Sequence, residues 1–124
     1  MSKPEVISID GVNNYVREGA NKLAEDLDGM KYCVVRTYSA GVHIGYVKEF
    51  GTKQPQYAKL LKSRRLHQWT KAASLSQVAM DGVDASGSRI AMELPEIELT
   101  DVIEVIPCSE KAAEFFKGAK AWVK

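Results

Sequence analysis

The run Tyr32-Cys33-Val34-Val35-Arg36-Thr37-Tyr38 constrains this chain more than any other stretch. It is dense in β-branched and aromatic residues, which suit a pleated and half-buried surface, and Val42 to Phe50 continues in the same style. Only Ser39-Ala40-Gly41 separates the two runs, so a hairpin is expected with those small residues at its tip. Alternation sets Tyr32, Val34, Arg36 and Tyr38 on one face and Cys33, Val35 and Thr37 on the other. Gly45, inside the second strand, marks a bulge or a close backbone approach.

At 124 residues the chain is too short for two independent cores. It reads as one α+β domain over 1–124, a mainly antiparallel sheet with an N-terminal helix, a short central helix and a C-terminal helix. A helical segment is expected over 1–29 and the sheet core over 30–117. Asp10 suits a helix N-cap, Val12, Val16, Ala20, Leu23 and Leu27 recur at helical spacing, and Gly29 suits the far end. Ser74 with Gln77 forms a capping box for a short helix that Gly82 closes. Ser109 caps a last helix running through Phe116, just after Pro107 stops a strand. Between these, Ile90, Met92 and Leu94 alternate with polar or small residues. Ile97, Leu99, Ile103 and Val105 alternate against Glu98, Thr100, Val102 and Glu104, with Asp101 interrupting the apolar face. The stretch Tyr57 to Thr70 fits neither period, because Leu60, Leu61 and Leu66 share no single face.

Several function classes fall away at this stage. No run approaches the roughly 18 apolar residues of a membrane span, and Met-Ser-Lys-Pro-Glu-Val lacks the apolar core of a secretory signal. A cytoplasmic protein is expected. Cys33 and Cys108 stand far apart, and His43 and His67 are the two histidines, so no pair has zinc-finger spacing and no metal or other cofactor is expected. Two buried free thiols are the natural reading. The net charge of +1 conceals two blocks of opposite sign. Seven Lys/Arg stand against Glu49 between Lys48 and Lys71, and seven acids against Lys111 between Glu93 and Glu114. Such blocks steer an anion to one face, pair between subunits, or stay solvated.

Three stretches carry candidate binding chemistry. One is the hairpin and its tip, with Arg36, Tyr38, Ser39, Gly41 and His43. A second holds Arg64, Arg65 and Trp69, and the third leads into a helix at Ser74. Guanidinium groups bind phosphate bidentately, a helix start offers N–H groups to an anion, and aromatic rings stack on bases. Each feature also has an ordinary structural reading: a solvated basic patch, core aromatics, a serine that only caps. No catalytic residues are assigned. Ser39 with His43 suggests a nucleophile pair, but G-x-S-x-G, P-loop and G-x-G-x-x-G signatures are absent from the sequence.

The segments Tyr32–Gly45, Ser63-Arg64-Arg65-Leu66, Trp69, Ala72–Gln77 and Leu99–Cys108 resemble, in this order, a family of small bacteriophage and prophage proteins of unknown function. The resemblance runs from about Lys31 to Lys117. It implies a strand leading into Arg64-Arg65-Leu66, hence a strand over Ala58 to Trp69, and a phage accessory role in the infected bacterial cell. His67 stands where the family pattern has a second tryptophan. More loosely, the chain is similar to phage anti-defence nucleotide sponges of the Thoeris anti-defence and anti-CBASS type.

The leading expectation is therefore a non-enzymatic homo-oligomer that binds a small phosphate-containing, nucleotide-like molecule, without membrane attachment. The alternatives are a nucleic-acid binder using the basic 48–71 segment, and a structural or protein-interaction module. Adjacent Arg64 and Arg65 in a strand point to opposite faces, so only one of them can serve a given site.

Overall fold

The computed structural model describes residues 6–9, 12–15, 22–69, 72 and 74–123. Strands β1 (Val6–Ile9) and β2 (Val12–Tyr15) form an antiparallel pair. The main sheet is built from β3 (Lys31–Thr37), β4 (Val42–Phe50), β5 (Ala58–Gln68), β6 (Arg89–Ile90), β7 (Leu94–Leu99) and β8 (Val102–Pro107). Helices α1 (Leu75–Asp81) and α2 (Glu110–Gly118) complete the fold. Every pairing is antiparallel. The order is β6-β5-β4-β3-β8, with β7 also paired to β5.

The expected hairpin is present as β3 and β4, and its alternation holds. Tyr32 and Val34 enter a core beneath the two helices, together with Ile44, Tyr46, Leu66, Val78 and Phe116. Cys33 and Val35 face the other side, with Ala58, Leu60, Leu99 and Val102. Both helix starts are capped as expected. Ser74 Oγ accepts from Gln77 N–H, and Ser109 Oγ accepts from Ala112 N–H.

The second core exists because the sheet curls. Strand β7 lies on β5 and β8 on β3, yet only Thr100 and Asp101 connect them. In a flat sheet those strands would stand four spacings apart, about 19 Å, whereas the step from Leu99 to Val102 spans at most about 11 Å. The sheet therefore bends into a half-barrel, and the β7–β8 corner crosses its mouth. Val102 N–H donates to the Gln56 carbonyl, and Tyr38 N–H donates to the Asp101 carbonyl.

Bulges create this curvature. Ile44 faces Arg64 and Tyr46 faces Leu61, so β5 carries one residue more than β4 there. Lys62 takes a positive φ of 52° at that point. Gly45 lies opposite, where a Cβ would stand 2.9 Å from Ser63 Cα. The extra residue reverses the strand's alternation. Leu60 faces the concave core, and Leu66, six positions on, faces the helices. That is why Tyr57 to Thr70 fits no single period, although Ala58–Gln68 is a strand as the resemblance implied.

Three expectations are corrected. The N-terminal helix over Asp10 to Gly29 is replaced by strand at Val12–Tyr15 and extended chain from Lys22; residues 10, 11 and 16–21 lie outside the described residues. The 22–30 segment spends its hydrogen bonds on the start of α2, with Ala24 N–H to Cys108 O and Glu110 N–H to Lys22 O. It then turns through Asp28 and Gly29, both at positive φ. Ala24, Leu27 and Met30 still reach the helix-side core, so the apolar spacing reflects packing without helix. The run from Ile97 to Val105 is likewise not one alternating strand. The corner at Thr100-Asp101 and a bulge in β8 exchange its faces: Val102 is 4% exposed and Ile103 45%. Similarly, Arg89 to Leu94 is not one strand: β6 stops at Ile90, Ala91 to Glu93 are irregular, and Leu94 already begins β7.

Candidate functional site

Alternation along β5 sends its two arginines to opposite sides, and the bulge at Lys62 decides which of them faces the helices. Arg64 turns under the helices and is 4% exposed. Its Nε donates to the Ala91 carbonyl at 2.8 Å, and its Nη1 to the carbonyls of Phe116 and Ala119, each at 2.6 Å. The Phe116 and Ala119 carbonyls lie at the end of α2, where carbonyls lack helical partners and a cation is favoured. Arg64 is thus structural.

Arg65 faces the concave side. It pairs across the strands with His43, which in turn faces Val35. Both side chains line a cleft of about 260 Å³ with His67, Ala91, Met92, Leu94 and Ile97. The hairpin tip closes one side of it. A Cβ on Gly41 would stand 3.9 Å from Arg65 Nε, and Ala40 packs on the concave core. Ala91 is held from both directions, since its N–H donates to the Arg65 carbonyl while its carbonyl accepts from Arg64. The cleft wall is therefore fixed to β5.

His43 is 1% exposed. Its Nε2 lies 2.9 Å from the Ala40 carbonyl oxygen, which can only accept, so Nε2 carries the proton. Nδ1 is buried without a hydrogen-bond partner. Burial lowers the imidazole pKa below 6.5, and Arg65 and His67 act in the same direction. The ring is neutral with a bare acceptor nitrogen. Arg65 contributes the cleft's guanidinium, and among the described residues no carboxylate stands within ion-pair distance of it.

The other candidates separate from this cleft. Ser39 is taken up by Asp101: its N–H donates to Oδ2 at 2.8 Å and its hydroxyl to the same oxygen. These bonds hold the Asp101 carboxyl below its ordinary pKa. Ser39 and His43 are each engaged elsewhere and form no nucleophile–base pair. Arg36 pairs with Glu104 at 3.3 Å, and Tyr38 is 83% exposed beside it in sequence. Ser74 caps the seven-residue α1 and reaches nothing in the cleft. Trp69 packs against the helix-side core, away from Arg65. Of the nine candidates, Gly41, His43 and Arg65 are brought together.

Sequence reasoning missed the apolar wall of Met92 and Leu94, which local alternation reads as ordinary strand. It also missed Trp122. Its backbone N–H donates to the Ile90 carbonyl, its ring lies 5.9 Å from that of His67, and Arg89 stands over the ring at 5.0 Å. The ring beside the cleft residue His67 is that of Trp122 in the C-terminal tail.

A family described as a domain of unknown function (DUF6948) matches residues 30–116, from just before β3 to the last turn of α2. The chain belongs to this family. The DUF6948 match takes in the whole curled sheet and every cleft residue, while β1 and β2 lie outside it. No curated protein and no solved structure is significantly similar to the chain.

Proposed function

We propose that this DUF6948 protein is a non-enzymatic binder that holds a small phosphate-containing molecule in the Arg65–His43 cleft. The observation that carries the reading is Arg65, a guanidinium on an apolar-walled cleft with no carboxylate within ion-pair distance among the described residues. Such a group is matched to an incoming anion. The fuller form of the proposal is a phage accessory protein, working as a homo-oligomer in the infected cell's cytoplasm and sequestering a nucleotide signal. The resemblance to phage proteins motivates that form. Among the described residues no helix is long and apolar enough to cross a membrane.

The nucleic-acid reading receives less support because three of the seven cations of the basic block are engaged within the chain. Lys53 pairs with Glu98 and Lys59 with Glu96 on β7, while Arg64 is buried under the helices. Such a divided surface is a poor match to a phosphate backbone.

Denaturing the purified protein and identifying the released small molecules by mass spectrometry tests the reading. A phosphate compound near one per chain is expected. An empty release, with no calorimetric binding of phosphate compounds, overturns it. Light scattering returning the monomer mass of 13.7 kDa at micromolar concentration would remove the oligomer from the proposal.

A further inference from the structure

We propose that two neighbours on β5, Arg65 and His67, together hold the ligand's phosphate, and that the ligand's body is apolar or planar and lies on Met92, Leu94 and Ile97. The cleft then selects organic phosphate monoesters of that kind over inorganic phosphate. This rests on the small-phosphate reading above and adds to it a second binding residue and the chemical class of the ligand.

Three polar side chains line the cleft: His43, Arg65 and His67. His43 offers a ligand nothing, because Nε2 is committed to the Ala40 carbonyl and Nδ1 is buried out of reach. Arg65 and His67 remain. They stand two positions apart on β5, so both side chains emerge on the same side, from Cα atoms about 6.6 Å apart. One phosphate can meet both at that spacing. Among the described residues no carboxylate stands within ion-pair distance of either. His67 is exposed, and an imidazole carries an N–H donor in either protonation state. Its ring lies against that of Trp122, with centroids 5.9 Å apart, which limits the positions it can take. The other lining residues, Ala91, Met92, Leu94 and Ile97, have apolar side chains, and Met92 and Leu94 are 62% and 40% exposed. The cleft is thus amphipathic, with donors from β5 and apolar surface from residues 91–97. Inorganic phosphate would meet the donors and leave that surface wet. An aromatic or aliphatic body covers it, and removing about 60 Å² of apolar surface from water is worth roughly tenfold in affinity. At about 260 Å³ the cleft falls just under the roughly 300–1,000 Å³ of sites for drug-sized molecules, so the enclosed body is small, such as one ring.

The test titrates inorganic phosphate, glycerol 3-phosphate and phenyl phosphate into the whole chain by calorimetry at pH 8, where all three are mainly dianionic. Phenyl phosphate is expected to bind about tenfold tighter than the other two, or better. His67→Ala should weaken phenyl phosphate about tenfold, as for loss of a hydrogen bond to a charged group, and leave the urea midpoint in place. His67→Asn, which keeps an N–H donor, should recover part of that loss. Leu94→Ser should weaken phenyl phosphate and spare inorganic phosphate. If the three probes bind alike, or His67→Ala binds phenyl phosphate as the wild type does, the inference is overturned. The small-phosphate reading then stands so long as Arg65→Ala weakens binding. If no probe binds, or Arg65→Ala changes nothing, both are overturned.

Discussion

Arg64 Nη1 donates to the carbonyl oxygen of Phe116 at 2.6 Å, so a cation from the middle of the sheet caps the last helix. The same guanidinium holds Ala119 and Ala91, tying the tail and the cleft wall to β5. Removing it would leave one buried and two half-buried carbonyls short of a donor. Arg64→Ala is expected to cost about 1.5–3 kcal/mol or more in urea denaturation, the range for losing a hydrogen bond to a charged group. Arg64→Lys should recover only part of this, since an ammonium cannot reproduce the planar fork. A loss below about 1 kcal/mol would contradict the assignment.

Arg65 should behave in the opposite way. Arg65→Ala is expected to leave stability within about 0.5 kcal/mol, as for a side chain without buried partners. It should weaken binding of the molecule released from the native protein by about 1.5–3 kcal/mol, read by calorimetry. Equal effects of the two substitutions on binding, with equal losses of stability, would remove the division of labour between neighbouring arginines.

The bulge gives a third expectation. At Gly45 an added Cβ meets the backbone of β5 at 2.9 Å, and backbone cannot step aside cheaply. Gly45→Ala should destabilise the protein by about 1–3 kcal/mol, the usual cost of overpacking. Lys62→Gly, at φ 52°, should be neutral or stabilising by up to about 1 kcal/mol, because glycine adopts that conformation freely. Thermal and urea unfolding of both variants provide the check.

The titration of His43 sets a pH dependence with a definite sign. Its folded pKa lies below 6.5, so the unfolded chain takes up a proton that the folded chain refuses. The His43 contribution is full above pH 6.5 and is lost as pH falls from there toward the folded value. Asp101, held below 3.8 by Ser39, loses its contribution in a separate window, below about pH 4. Urea midpoints measured from pH 7.5 to 5 should fall in the wild type, and fall less in His43→Gln. An unchanged slope in the variant would assign that window to another group.

The two thiols should be inert. Cys33 lies in the concave core and Cys108 under the helices, on opposite sides of the sheet. Burial pushes their pKa values up to about 11 and about 12. Neither forms appreciable thiolate at pH 8, so labelling in native buffer should be slow and should become complete on denaturation. Rapid reaction of both thiols without denaturant would contradict this.

Much of the fold was legible because it is local. The β3–β4 hairpin follows from two apolar runs and a three-residue tip, and both helix starts follow from serines whose hydroxyls meet N–H groups three residues on. The candidate site was legible only in part. His43, Arg65 and Gly41 were named from chemistry, but Tyr38, Ser74 and Trp69 were named by the same chemistry and lie elsewhere. Local sequence gives the type of a side chain and its parity along a strand. It gives its neighbours only when parity holds, and the extra residue at Lys62 breaks it.

The sequence by itself determined the antiparallel hairpin, the short capped helices, the burial of both thiols and the divergence of Arg64 from Arg65. Each depends on residue type and on a period of two or of 3.6 within one element. Tertiary structure alone decided which arginine was buried, that Lys22 to Met30 would be non-helical, and that β7 and β8 would join opposite edges of one sheet. Those outcomes depend on hydrogen bonds between distant segments, such as Val102 to Gln56, Ala24 to Cys108 and Arg64 to Phe116. No pattern within any one of those segments encodes its partner, because the partner is set by how the bulged sheet curls.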